Sequence, residues 1–187
     1  MRIVGGKHAG RELTSPQGTR ARPTAEHVRV RLLDLLTADL PKARVLDLFA
    51  GTGALGLEAI SRGASRADFV ELLPDSLHSL RANIAALRMR EVTRVFKRDA
   101  LPFAAALPAG SYDIAFVDPP YNSRMLDRVI TGWQGSHFAR VLAVEHAATH
   151  VVPAGGTRYV LGDTALTIYR APVVQVPPAP VEPLPGA

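Results

Sequence analysis

Residues 44–56 constrain the fold of this chain more than any other segment. Arg44-Val-Leu-Asp-Leu-Phe49 is an apolar run interrupted by one acid, and it leads into Gly51-Thr-Gly-Ala-Leu-Gly56. A short apolar run before a turn signal reads as a buried strand. Glycines in the pattern G-x-G-x-x-G after it read as a tight strand-to-helix turn, and a helix is expected over 54–62. The alternation then repeats. Strands are expected at 67–71, 93–96, 112–117 and 140–145, with helices over 74–88, 100–107 and 123–133. Two last strands, 157–161 and 165–170, flank Gly162-Asp163 as a hairpin. Strands alternating with helices imply a mostly parallel sheet covered on both faces. Ligands of such sheets bind at the carboxyl ends of the strands.

Upstream, residues 1–14 give two extended runs around Gly5-Gly6 and Gly10, which predict a small β-hairpin. Thr24 is placed to N-cap a helix whose apolar face is Val28, Leu32, Leu35 and Leu36. The chain therefore divides into a basic arm (1–23), an α/β domain (24–171) and a tail (172–187). The tail holds six prolines in sixteen positions, and reads as extended and disordered.

Charge is uneven. Residues 1–31 contain seven Lys or Arg and two acids, and the remaining residues balance to zero within a net charge of +5. A basic excess in one segment suits a polyanion, although a solubilising flank has the same composition. Arg88, Arg90, Arg94, Lys97 and Arg98 form a second cluster, which either extends a nucleic-acid surface or solvates a helix end. With no cysteine, disulfides and thiolate chemistry are excluded. No apolar stretch is long enough to span a membrane and no secretory leader is evident, so a cytoplasmic protein is expected. His146 and His150 have i,i+4 spacing without an evident third ligand, so no metal is expected. Trp133 reads as helix packing.

Three acids give the glycine turn its chemical meaning. Glu71 lies twenty residues after Gly51, where a carboxylate can accept the hydroxyls of a ribose. That much fits a nicotinamide dinucleotide. Asp47, inside the strand, does not: it would repel a pyrophosphate, but it can meet the ammonium of a methionine moiety. Asp99, with the Ala100 N–H, can read an adenine edge or simply cap the helix that follows. Asp118-Pro119-Pro120-Tyr121 closes the strand at 112–117. An exocyclic amine on a base is a poor nucleophile because its lone pair is conjugated with the ring. The Asp118 carboxylate and the Pro119 carbonyl can each accept one of its N–H groups, leaving the lone pair free to attack a methyl group. The prolines hold that carbonyl still, and Tyr121 offers a face for stacking. The tetrapeptide suits guanine N2, adenine N6 or cytosine N4 alike. The chain is short for a domain that reads a DNA site, which favours RNA.

The stretch Asp47-Leu-Phe-Ala-Gly-Thr-Gly-Ala-Leu-Gly-Leu-Glu58, together with Asp118 to Tyr121, resembles the class I amino-methyltransferases. Met1-Arg-Ile-Val-Gly-Gly-Lys7, Gly10-Arg11, Arg22-Pro23-Thr24, Val28-Arg29 and Gly162-Asp163-Thr164 narrow the resemblance, over about residues 1–170, to the bacterial 16S ribosomal RNA (guanine-N2)-methyltransferases. The pattern departs at His8-Ala9 and in the helix after Thr24. The resemblance implies a Rossmann-like seven-stranded sheet, S-adenosylmethionine as methyl donor, and a monomer acting on 16S rRNA in an assembling small subunit. It assigns Asp47, Phe49, Gly51, Thr52, Gly53, Glu71, Leu72, Asp99, Ala100 and Asp118 to the cofactor, and Asp118, Pro119, Pro120 and Tyr121 to the target base. It places Arg2, Lys7, Arg11, Arg20, Arg22, Thr24 and Arg29 on the RNA side. An arm of that kind would be removable without loss of cofactor affinity.

Overall fold

Val45, Leu46 and Leu48 are 0% exposed, as are Ile114, Ala115 and Phe116. Strands this apolar on both faces belong in the middle of a covered parallel sheet, and there the computed structural model places them. It describes residues 1–16, 26–119 and 124–172. Thr24, Arg20, Arg22, Pro120, Tyr121 and all but the first residue of the proline-rich tail lie outside the described residues.

The strands are β1 (Arg44–Leu48), β2 (Arg66–Glu71), β3 (Thr93–Lys97), β4 (Tyr112–Val117), β5 (Ala139–Ala147), β6 (Thr157–Leu161) and β7 (Thr164–Arg170). They form one sheet in the order β3-β2-β1-β4-β5-β7-β6. Neighbours from β3 to β5 run parallel, and β7 is antiparallel to both β5 and β6. The helices are α1 (Glu26–Leu35), α2 (Ala54–Ser61), α3 (Pro74–Ala86), α4 (Ala100–Ala105) and α5 (Met125–Ser136). The first three share one core with the α1 side of the sheet, and α4 and α5 share the other. Trp133 of α5 is buried and its Nε1 donates to the Ala139 carbonyl at 2.7 Å, so it packs the second core. Strand order reverses between β1 and β4. The crevice where an open α/β sheet takes its ligand is at that reversal.

The N-terminal segment differs from expectation in two ways. Its two extended runs do pair, through Ile3 N to Arg11 O, Gly10 N to Ile3 O and Leu13 N to Met1 O. A 3-10 turn at Gly6–His8 joins them, so the ladder shrinks to a single antiparallel bridge, Arg2 with Glu12. The segment is also no detached arm. Ile3 is 0% and Leu13 5% exposed within the α1-side core, and each stabilises the fold by roughly 1.5–3 kcal/mol.

Polar contacts fix it further. Gly5 N donates to Glu58 Oε1 at 3.2 Å, His8 N donates to Ser61 Oγ at 2.9 Å and Ser61 Oγ donates to Gly5 O at 2.6 Å. A side chain on Gly6 would meet the Ser61 carbonyl at 1.9 Å. Arg29, expected on the RNA side, is corrected here: it is 0% exposed, with Nε 2.8 Å from Glu58 Oε2 and Nη2 donating to Arg2 O at 2.6 Å. It is a structural cation.

Removing one member of a buried ion pair costs about 3–5 kcal/mol, because the other charge stays behind. Glu58→Gln is expected to lower the thermal midpoint by about 10 °C, with the double variant Arg29→Met/Glu58→Leu recovering most of it. Melting followed by circular dichroism measures both, and a midpoint unchanged in Glu58→Gln would contradict this role.

Candidate active site

The loop after β1 is built from unusual backbone. Phe49, Gly51 and Gly53 all have positive φ, at 61°, 54° and 78°. The glycines of the fingerprint have different tasks. A Cβ on Gly51 would meet nothing within 4 Å, so the backbone here faces open space that a ligand can enter. A Cβ on Gly56 would sit 2.5 Å from Phe69 Cε1 and 3.2 Å from Asp47 Oδ2. That glycine lets α2 lie against β1 and β2, closely enough for Gly56 N to donate to Asp47 Oδ2 at 2.9 Å.

Asp47 is 2% exposed. Burial pushes its carboxyl well above the usual range; the Gly56 N–H opposes the shift, while the charges of Asp118 and Glu71 add to it. Those two charges show that the ends of β1, β2 and β4 bring three acids together. No described residue bonds Asp47 Oδ1 in the way Gly56 bonds Oδ2.

Glu71 is held by backbone N–H groups, with Gly51 N on Oε2 at 2.8 Å and Leu72 N and Leu73 N on Oε1 at 2.7 Å each. A carboxylate has about four acceptor positions, so one remains for a hydroxyl, and a second hydroxyl must displace one of these N–H groups. Leu72 and Leu73 are 52% and 62% exposed, an apolar ledge beside the acid. Leu73 was not among the sequence candidates, although an apolar pair where a helix begins is itself a signal.

Asp99 Oδ1 accepts from Leu101 N at 2.9 Å and so caps α4, which leaves its second oxygen and the Ala100 backbone for a ligand edge. Val117 is in register with Leu48, which sets half-buried Asp118 and buried Pro119 across from the glycine turn.

Asn83 is the residue the sequence reading missed. It is 1% exposed on α3. Its Nδ2 donates to Thr52 O and Thr14 O, both at 3.0 Å, and its Oδ1 accepts from Thr14 N at 2.7 Å. One amide thus ties the glycine loop to the N-terminal segment. Met1 Sδ lies 3.9 Å from Thr52 Oγ1 and adds to that tie. A polar residue on the apolar face set by Leu77, Leu80 and Ile84 was the available clue. Of the basic candidates that are described, Arg2, Lys7 and Arg11 are exposed. Arg2 pairs with Glu26 at 3.3 Å, and Arg11 Nη2 donates to Ala86 O, at the end of α3, at 2.9 Å.

Comparisons with known proteins place the chain in a family. Residues 1–145 match the family model described as Conserved hypothetical protein 95. Ribosomal RNA small subunit methyltransferase D of Escherichia coli (strain K12) is 38% identical over 138 residues, which cover 71% of this chain and 69% of that protein. A solved structure of a hypothetical protein from Thermus thermophilus superposes with a TM-score of 0.78 at 32% identity, covering 91% of this chain and 99% of that one. A T. thermophilus 16S rRNA N2 methyltransferase, solved with AdoMet and guanosine, shares the fold at a TM-score of 0.64 and 17% identity, over 82% of this chain and 45% of that one. The chain belongs to the Conserved hypothetical protein 95 family, together with the ribosomal RNA small subunit methyltransferase D of E. coli.

Proposed function

We propose that the chain transfers a methyl group from S-adenosylmethionine to the exocyclic N2 of a guanine in 16S ribosomal RNA, acting as a cytoplasmic monomer on the assembling small subunit. The observation that carries this reading is the placement of Asp118 within electrostatic reach of Asp47, across the crevice where the strand order reverses. The relative's name supplies the RNA; the site supplies the chemistry.

The residues fit the cofactor. Asp47 would hold the ammonium of the methionine part, and the open face of Gly51, in the loop of Phe49, Thr52 and Gly53, would let the cofactor approach the backbone. Glu71 takes a ribose hydroxyl. Leu72 and Leu73 would lie against the adenine, and Asp99 with the Ala100 N–H would take its edge. Bound there, S-adenosylmethionine supplies an electrophilic methyl group on a sulfonium.

The target amine is held by the chain itself. Asp118 and the Pro119 carbonyl each accept one N–H, which turns the nitrogen lone pair out of conjugation with the base and toward the methyl group. The proton leaves the nitrogen after the transfer, so Asp118 acts as a hydrogen-bond acceptor rather than a base. Pro120 and Tyr121 complete the tetrapeptide, and Tyr121 is the residue that would stack on the base. Arg2, Lys7 and Arg11, with Arg20, Arg22 and Thr24, meet the RNA. No described helix is long and apolar enough to cross a membrane.

Replacing Asp118 with Ala is expected to cut methyl transfer to undermethylated small subunits by about 100- to 1,000-fold, with affinity for S-adenosylhomocysteine within a few-fold of wild type. Radiolabel incorporation and calorimetry measure the two. Undiminished labelling by the variant would sink the reading.

Asp47 makes a second prediction. Its folded carboxyl lies above its unfolded value, so the stability it contributes is present below the ordinary carboxylate range and is lost as pH rises through the raised value. A cationic ligand reverses that loss. S-adenosylhomocysteine is therefore expected to bind more tightly as pH rises from 5 to 7.5. Asp47→Asn should bind about 10- to 100-fold more weakly at pH 7.5 and lose the pH dependence. A wild-type profile that is flat over this range would refute the assignment.

A further inference from the structure

A second open groove, of about 470 Å³, lies along α3, away from the ends of β1 and β4. It runs along the β3 edge of the sheet, between α3 and the 3-10 turn at Arg90–Val92. His78, Arg81, Ala82 and Ala85 line one side, and Arg90 and Lys97 the other. On α3 those positions are spaced 3, 4 and 7 apart, so they share one face. The two alanines leave the space and the cations surround it.

The charge here is unbalanced. Residues 81–98 carry six Lys or Arg and one acid, Glu91. Several other arginines have acidic partners: Arg44 with Asp113, Arg62 with Asp34, Arg140 and Arg170 with Asp39. Arg81, Arg88, Arg90 and Lys97 are exposed, and none is in an ion pair with a described residue. Cations on an edge strand can serve to block strand addition. That accounts for Lys97, which is on β3. It does not account for Arg81 on α3 or Arg90 in the turn.

The N-terminal segment also reaches the helix that carries this groove. Arg11 reaches the carbonyl of Ala86 at the end of α3, and Arg88 and Arg90 follow at once. β3 lies three strand spacings from β4, about 14 Å, which is about four stacked nucleotides at roughly 3.4 Å each.

We propose that this groove holds the phosphate backbone of the RNA next to the target nucleotide, so that the RNA path runs from the N-terminal segment past the end of α3 and along β3. Arg81, Arg90 and Lys97 are phosphate-binding residues that carry no base specificity. The inference rests on the ribosomal RNA reading above and adds the surface that reading lacks.

The test is the full chain carrying Arg81→Gln, Arg90→Gln and Lys97→Gln together. Binding to undermethylated small ribosomal subunits is measured from 50 to 200 mM salt, and the KM for subunits and the kcat of methyl transfer are measured alongside. Log affinity against log salt should flatten by about 2 to 3. KM should rise about tenfold or more with kcat near wild type, and S-adenosylhomocysteine affinity should stay unchanged. The charge-keeping variant Arg81→Lys/Arg90→Lys/Lys97→Arg should restore subunit binding, which separates charge from a fold defect. An unchanged slope and KM in the glutamine variant would overturn the proposal. So would self-association of that variant with unchanged subunit affinity, which would make the cluster an edge guard. If wild type methylates no subunit at all, it is the ribosomal RNA reading that fails.

Discussion

A carboxylate with no exposure to water needs its lone pairs matched, and Glu58 meets that need from three separate segments. Gly5 N comes from the N-terminal segment, Arg29 from α1 and Arg62 from the end of α2. Arg62 passes the link on to Asp34 at 2.6 Å. Buried ion pairs add little net stability over well-packed apolar groups, but a partner left alone is costly. The network therefore admits one arrangement of these segments. Because α2 begins at the glycine turn, that same arrangement sets where the cofactor loop stands relative to the N-terminal residues.

A second constraint works in the opposite direction. Asp47, Glu71 and Asp118 approach one another at the ends of three adjacent strands, and burial makes ionisation of Asp47 unfavourable. The fold tolerates this because Gly56 and the N–H groups of Gly51, Leu72 and Leu73 bond two of the carboxylates. The remaining cost is what a cationic ligand relieves. A pyrophosphate would increase it. The choice between the two ligand classes thus lies in the acids, while the glycine pattern, shared by both, decides nothing.

Much of this was legible in the residues. β4 and β6 match their expected bounds, and the other strands differ by at most a few residues, because apolar runs between glycine and polar breaks leave few choices. Asp47, Glu71 and Asp118 were identifiable because each sits at a fixed offset from a strand end. Local pattern did not resolve contacts between distant segments. Arg29 read as one more basic residue of a basic stretch; only the fold brings Glu58, twenty-nine residues on, against it. Asn83 was invisible for the same reason, since its partners Thr14 and Thr52 are sixty-nine and thirty-one residues away. Leu73 and the groove beside α3 are surface shapes, which periodicity does not encode.

These long-range contacts also change what the first sixteen residues are. Read by charge, they form an arm that binds a polyanion and could be cut away. In the fold they supply Ile3 and Leu13 to the core, the Gly5 N–H to Glu58, and the Thr14 backbone to Asn83. Cutting them away would expose apolar surface, leave the buried Glu58 short of one donor, and free one end of the amide that steadies Thr52. The cofactor loop would then lose a support that its own sequence does not provide. Basic side chains such as Lys7 and Arg11 point outward from this segment while its backbone and apolar side chains are spent inward. The exposed basic side chains and the glycine turn are consequently two sides of one packed unit, tied by the buried Asn83 amide together with the Glu58 network.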